Sequence, residues 1–164
     1  MLYECGVLEM MVRTANAIKG YPEEKSSAVC AALRGIGNVL SGSDEYATIL
    51  YRMGLLPVLE SGLLHKSKAF RKETLWSLSN LALCKNEIPN EIASNHTVKI
   101  LNVNPCLQIV MEMLLMMKAN DTELKKEASI CISNLIGSLS TEQIESFVFD
   151  YHVLEVLVDV VRFE

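Results

Sequence analysis

Three stretches of the chain, AALRGIGNVLSG (31–42), ETLWSLSNLALC (73–84) and EASICISNLIGS (127–138), align residue for residue. Each contains an apolar-x-Asn-apolar step, with Asn38, Asn80 and Asn134 in one register. Self-similarity at a fixed spacing constrains a fold more than any single motif, because a unit that recurs must pack against its own copies. The first interval is 42 residues, within the range of two- and three-helix repeats, and the second is 54, so about a dozen residues are inserted in the third unit. The segment 86–105, NEIPNEIASNHTVKILNVNP, is the place for that insertion.

Within the units, apolar residues fall at spacings of three and four, as in Leu33, Ile36, Val39 and Leu40, or Leu75, Leu78, Leu81 and Ala82. Turn chemistry (KGYPEE, SGSDE, RMGLLP, LHKSK, KANDTE, GSLSTEQ) cuts the chain into short helical runs, and no alternating strand segment of useful length appears. Half of the residues are apolar but only 6% aromatic, with eight glycines and four prolines, which suits helices better than sheets. The expectation is an all-α solenoid of about three repeats plus partial ends. Its units run roughly 1–42, 43–84, 85–138 and 139–164, in one domain that is a piece of a longer protein.

Composition narrows the function classes. A net charge of −5 lacks the basic excess of a nucleic-acid binder and fits a basic partner. The most apolar window, CLQIVMEMLLMMK (106–118), is too short to span a bilayer and reads as a buried helix, so no membrane partner is expected. The opening MLYECGVLEMMV has acidic residues inside its apolar run and does not read as a signal peptide. Cys5, Cys30, Cys84, Cys106 and Cys131 show no C-x-x-C pair and read as small core residues in a reducing compartment. His65, His96 and His152 are scattered, so neither metal nor cofactor is expected. No nucleophile–base pair or glycine-rich phosphate loop points to an enzyme.

The run KETLWSLSNL holds the chain's one tryptophan. On a helix, Glu73, Trp76 and Asn80 stand at i, i+3 and i+7 and share a face, beside an apolar stripe of Leu75, Leu78 and Ala82. That face suits a basic side chain on an extended backbone: the indole attracts the cation, the carboxylate bonds it, and the amide matches peptide N–H and C=O groups. A packing role is equally open to the asparagines, each bonding the backbone of the neighbouring repeat. Three roles are open to Arg34: holding a peptide carbonyl, pairing with an acid such as Glu73, or simple exposure.

Taken together, LRGIGNVLSGSDE, GLLPVLESGLL and RKETLWSLSNL resemble the armadillo repeats of importin-alpha (karyopherin-alpha), in the C-terminal half of that family. The resemblance implies a right-handed superhelix whose third helices line a concave groove. That groove holds basic nuclear-localisation peptides in an extended conformation. By the same resemblance, Trp76 and Asn80 match the family's groove pair, and Arg34 and Asn38 match its Arg–Asn variant. Glu73 and Glu127 match acids that meet peptide lysines or arginines, Ser79 matches a small polar neighbour, and Asn134 matches the next repeat's Asn. It further implies a nuclear-import adaptor segment of cytoplasm and nucleus, whose importin-beta partner is engaged through a segment absent from this chain. An armadillo scaffold without import activity is the other reading. Ile130 stands where the family has a second tryptophan, which leaves one aromatic wall.

Overall fold

A computed structural model describes residues 5–17, 26–84, 121–149 and 153–162. The insertion at 86–105, the apolar window at 106–118 and Cys106 lie outside the described residues. Among the described residues the regular structure is helical: α1 (Val7–Asn16), α2 (Ser26–Leu40), α3 (Asp44–Arg52), α4 (Leu55–Leu63), α5 (Lys68–Ala82), α6 (Thr122–Gly137), α7 (Thr141–Phe149) and α8 (Val153–Arg162).

The unit at 43–84 shows how sequence sets these boundaries. Ser43 caps α3, its hydroxyl accepting from the Glu45 N–H at 3.2 Å, while Asp44 and Glu45 place negative charge on the helix N-terminus. Arg52 closes the helix with positive charge, and Gly54 then turns the chain with φ +84°, a conformation costly for any residue with a Cβ. Pro57 falls in the first turn of α4, where its missing N–H would have had no helical partner. The α4–α5 corner is organised by His65: its Nδ1 accepts from the Ser67 N–H, and its ring meets Phe70 edge-on at 4.4 Å. Arg71 ties the same corner down, donating to the carbonyls of His65 and Lys66 at 2.8 Å each.

The three long helices lie side by side, with α5 packed between α2 and α6, α1 against α2, and α4 behind α5. Leu33 and Ile36 of α2, Leu75, Leu78 and Leu81 of α5, and Leu124, Ala128, Ile132 and Leu135 of α6 are buried along this ladder. Leu50, Leu55, Leu59 and Leu63 of the shorter helices close the core beneath it. Each fully buried leucine contributes roughly 1.5–3 kcal/mol of hydrophobic stabilisation. The stripe Leu75, Leu78, Ala82 faces this core as the helical period predicts.

Polar bonds set the stagger between units. Asn80 Nδ2 donates to the Gly37 carbonyl at 3.1 Å, and Asn134 Nδ2 donates to the Ser79 carbonyl at 3.2 Å and to Ser79 Oγ at 2.9 Å. Gly37 and Ser79 are the residues just before Asn38 and Asn80, so the same bond recurs in the same register. Ser77 Oγ to Leu33 O (3.2 Å) and Ser138 Oγ to Ala82 O (2.8 Å) add two further stitches. Sliding one long helix along its neighbour would break these bonds together. That is the packing role left open for the asparagines, and Asn80 and Asn134 fill it.

Candidate functional site

The exposed side of the ladder bears a cleft of about 280 Å³, lined by Arg34 and Asn38 of α2, Lys72, Glu73 and Trp76 of α5, and Glu127 of α6. Helical spacing explains the set: Arg34 and Asn38 stand at i and i+4, Glu73 and Trp76 at i and i+3, so each pair projects from one face. The cleft belongs to the inter-helix geometry, for three long helices among the described residues supply its walls.

Trp76 is half-buried, and its indole is seated on α2 at Gly37. A Cβ at that glycine would stand 2.5 Å from both Cε3 and Cζ3 of the ring, closer than real side chains approach. The glycine is therefore a steric requirement of the site, without which the indole could not lie where it does.

Arg34 reaches across from α2 to α5. Its Nε donates to Glu73 Oε1 at 3.0 Å, and its Nη2 donates to the same oxygen. The side chain of Arg34 is 65% exposed and that of Glu73 11%, so the guanidinium covers the carboxylate on the solvent side. The hydrogen bond to Glu73, and next the carboxylate's charge, hold the Arg34 guanidinium above its ordinary pKa. Cys30, one turn before Arg34, has its thiol pushed up by burial first and by the Glu73 charge second.

Two further ion pairs bridge α5 to the start of α6, Lys72 Nζ to Glu123 Oε1 at 3.3 Å and Lys68 Nζ to Asp121 Oδ1 at 2.9 Å. The Lys68 hydrogen bond holds the Asp121 carboxyl below the usual carboxylate value. All four side chains are well exposed, and pairs of that kind contribute little, about 0–1 kcal/mol each. Glu127 forms no ion pair with another described residue, and the exposed amide of Asn38 makes no hydrogen bond to one.

Five of the eight residues expected at a groove thus meet in one cleft: Arg34, Asn38, Glu73, Trp76 and Glu127. The other three lie outside its lining. Asn80 and Asn134 are half-buried with an amide N–H spent on the stack, and Ser79 is buried and accepts from Asn134. Of the three roles open to Arg34, pairing with Glu73 is the one adopted. Ile130 is 38% exposed on α6 and does not line the cleft. Lys72 was not among the expected residues, though the repeated Lys-Glu step (Lys72-Glu73, Lys126-Glu127) marked it as a register position.

Elsewhere, Cys84 and Cys131 are buried as expected, whereas Cys5 is exposed at the start of α1 and is not a core residue. Among the described residues no group of three or more His, Cys, Asp or Glu could hold a metal ion. No described helix is long and apolar enough to cross a membrane.

Comparison with solved structures defines the class. A designed armadillo repeat protein in complex with the peptide (KR)4 matches at a TM-score of 0.70 and 27% identity, over 90% of this chain and 54% of that one. The crystal structure of an engineered protein matches at a TM-score of 0.72 and 22% identity, over 98% of this chain and 57% of that one. A second engineered protein matches at 0.70 and 22%, over 96% of this chain and 34% of that one. The chain is an armadillo-type α-solenoid, and it spans about half the length or less of these structures. No protein-family model matches it, and no curated protein matches its sequence.

Proposed function

We propose that the cleft across α2, α5 and α6 binds an extended peptide through a basic side chain, and that the chain is a segment of a nuclear-import adaptor of the importin-alpha kind. The observation that carries this reading is the meeting of Trp76, Glu127 and Asn38 in one open cleft. The aliphatic stem and charged head of a lysine or arginine would lie along the indole, an attraction of roughly 0.5–1 kcal/mol at an exposed ring and about 2 when desolvated. The Glu127 carboxylate offers that head a charge-assisted hydrogen bond. The exposed Asn38 amide offers a donor and an acceptor to the peptide backbone beside it. The designed armadillo neighbour is itself in complex with (KR)4, and the likeness to it lends support. The reading brings with it nuclear-localisation peptides as ligands, importin-beta as a partner of the whole adaptor, and traffic between cytoplasm and nucleus.

Titration with a lysine-rich localisation peptide, followed by Trp76 fluorescence and calorimetry at two salt concentrations, tests it. Binding that weakens with salt, and that falls at least tenfold in Trp76→Ala, is expected. Unchanged fluorescence and heat across the titration would sink the proposal.

A second reading is favoured by the amides of Asn80 and Asn134, which are spent on the stack, and by Arg34, which covers Glu73. On that reading the chain is an armadillo scaffold for folded partners, without import activity. A peptide array of basic signals discriminates the two, since only the groove reading expects hits there.

A further inference from the structure

Resting on the reading of the cleft as a peptide groove, we propose that it admits a single cationic side chain, at Trp76 and Glu127. Arg34 is the residue that sets this limit. The cleft is lined by two cations, Arg34 and Lys72, and two carboxylates, Glu73 and Glu127, so its lining charges balance. A groove built for a run of basic residues presents an excess of carboxylates instead.

The two carboxylates are not equivalent. Glu73 is already served by Nε and Nη2 of Arg34, which converge on Oε1 from the solvent side. With Glu73 at 11% side-chain exposure beneath a guanidinium at 65%, an incoming lysine that reaches for Oε1 must displace Arg34. Arg34 therefore acts as a built-in occupant of the second acidic position. Glu127 has no such occupant among the described residues. The geometry gives a carboxylate to one lysine or arginine of the peptide, while Arg34 already holds Glu73 and Lys72 is itself paired with Glu123. A second basic residue nearby meets like charge rather than a carboxylate.

Three peptides of equal length test this: one with a single lysine in a Ser/Gly background, one with a second lysine two residues away, and one fully basic. Each is titrated against the wild type, Arg34→Ala, and the double variant Arg34→Ala/Glu73→Gln, with Trp76 emission and calorimetry as readouts. In the wild type the two-lysine peptide should bind within about threefold of the single-lysine peptide, with the salt dependence of one ion pair. Arg34→Ala should tighten the two-lysine peptide about tenfold more than it tightens the single-lysine peptide, the scale of one charge-assisted hydrogen bond. The double variant should lose that gain, which shows that it runs through Glu73. Wild-type protein that binds the two-lysine or fully basic peptide tenfold tighter than the single-lysine peptide overturns the one-cation limit and leaves the groove standing. That comparison needs no variant to fold. Binding of no peptide by wild type or Arg34→Ala removes the groove reading, and this inference with it.

Discussion

Gly37→Ala is the substitution in which local and tertiary effects oppose each other most directly. Gly37 is an interior residue of α2, so alanine there gains helix propensity of about 1 kcal/mol. Against this, the added methyl would stand 2.5 Å from two carbons of the Trp76 ring and 3.1 Å from Ser77 Oγ. To restore ordinary contact at roughly 3.4 Å or more, the ring must retreat by about 1 Å, or α2 and α5 must part by as much. Parting is resisted by the Asn80–Gly37 and Ser77–Leu33 bonds, so the indole is the group that moves, out of its seat and into the cleft. Overpacking of this kind costs about 1–3 kcal/mol, which outweighs the propensity gain and leaves a net loss of roughly 1 kcal/mol. For a chain of this size that lowers Tm by about 2–4 °C. Because Trp76 is the only tryptophan, its emission reports on the same seat, and it should shift to the red as the ring gains water. Gly137→Ala serves as the control, since nothing lies within 4 Å of the Cβ it would add. Thermal unfolding by circular dichroism, with emission spectra of both variants, decides the matter. A Gly37→Ala protein as stable as wild type with unmoved emission would refute the steric argument.

The asparagine ladder yields a ranking: Asn134→Ala should cost more than Asn80→Ala. Asn134 serves two atoms of the buried Ser79, so its loss should cost roughly 1–3 kcal/mol. The Gly37 carbonyl bonded by Asn80 also accepts from the Ser41 N–H at 3.0 Å, so about 1 kcal/mol is expected there. Urea unfolding measures both, and equal midpoints for the two variants and wild type would contradict the ladder's role. For the cysteines, burial first and the Asp44 charge second push the Cys84 thiol up to about 11. At pH 8 only about one molecule in a thousand carries the reactive thiolate at that position. Iodoacetamide followed by peptide mapping should therefore mark the exposed Cys5 and spare Cys84 until denaturant is added. Labelling of native Cys84 as fast as Cys5 would show that the helix end is open.

Much of the architecture was legible in the residues alone. A helix repeats every 3.6 residues, so the sequence reveals which side chains share a face without knowledge of what stands opposite. The core stripe Leu75, Leu78, Ala82 and the pairing of Glu73 with Trp76 on an adjoining face follow from that period, and both hold in the fold. The Asn register revealed the repeat because equivalent units present the same side chain at the same place in the stack, where Asn80 and Asn134 make the same bond. What each face meets was decided by the tertiary structure. The stagger of α5 on α2 determines that Arg34 lands on Glu73, 39 residues away, and that the Asn80 amide turns to the Gly37 carbonyl. The same stagger makes Gly37 the seat of the indole and draws Lys72 into the cleft wall. Periodicity belongs to one helix, but an interaxial offset belongs to two, and it is set by the summed packing of residues far apart in the chain.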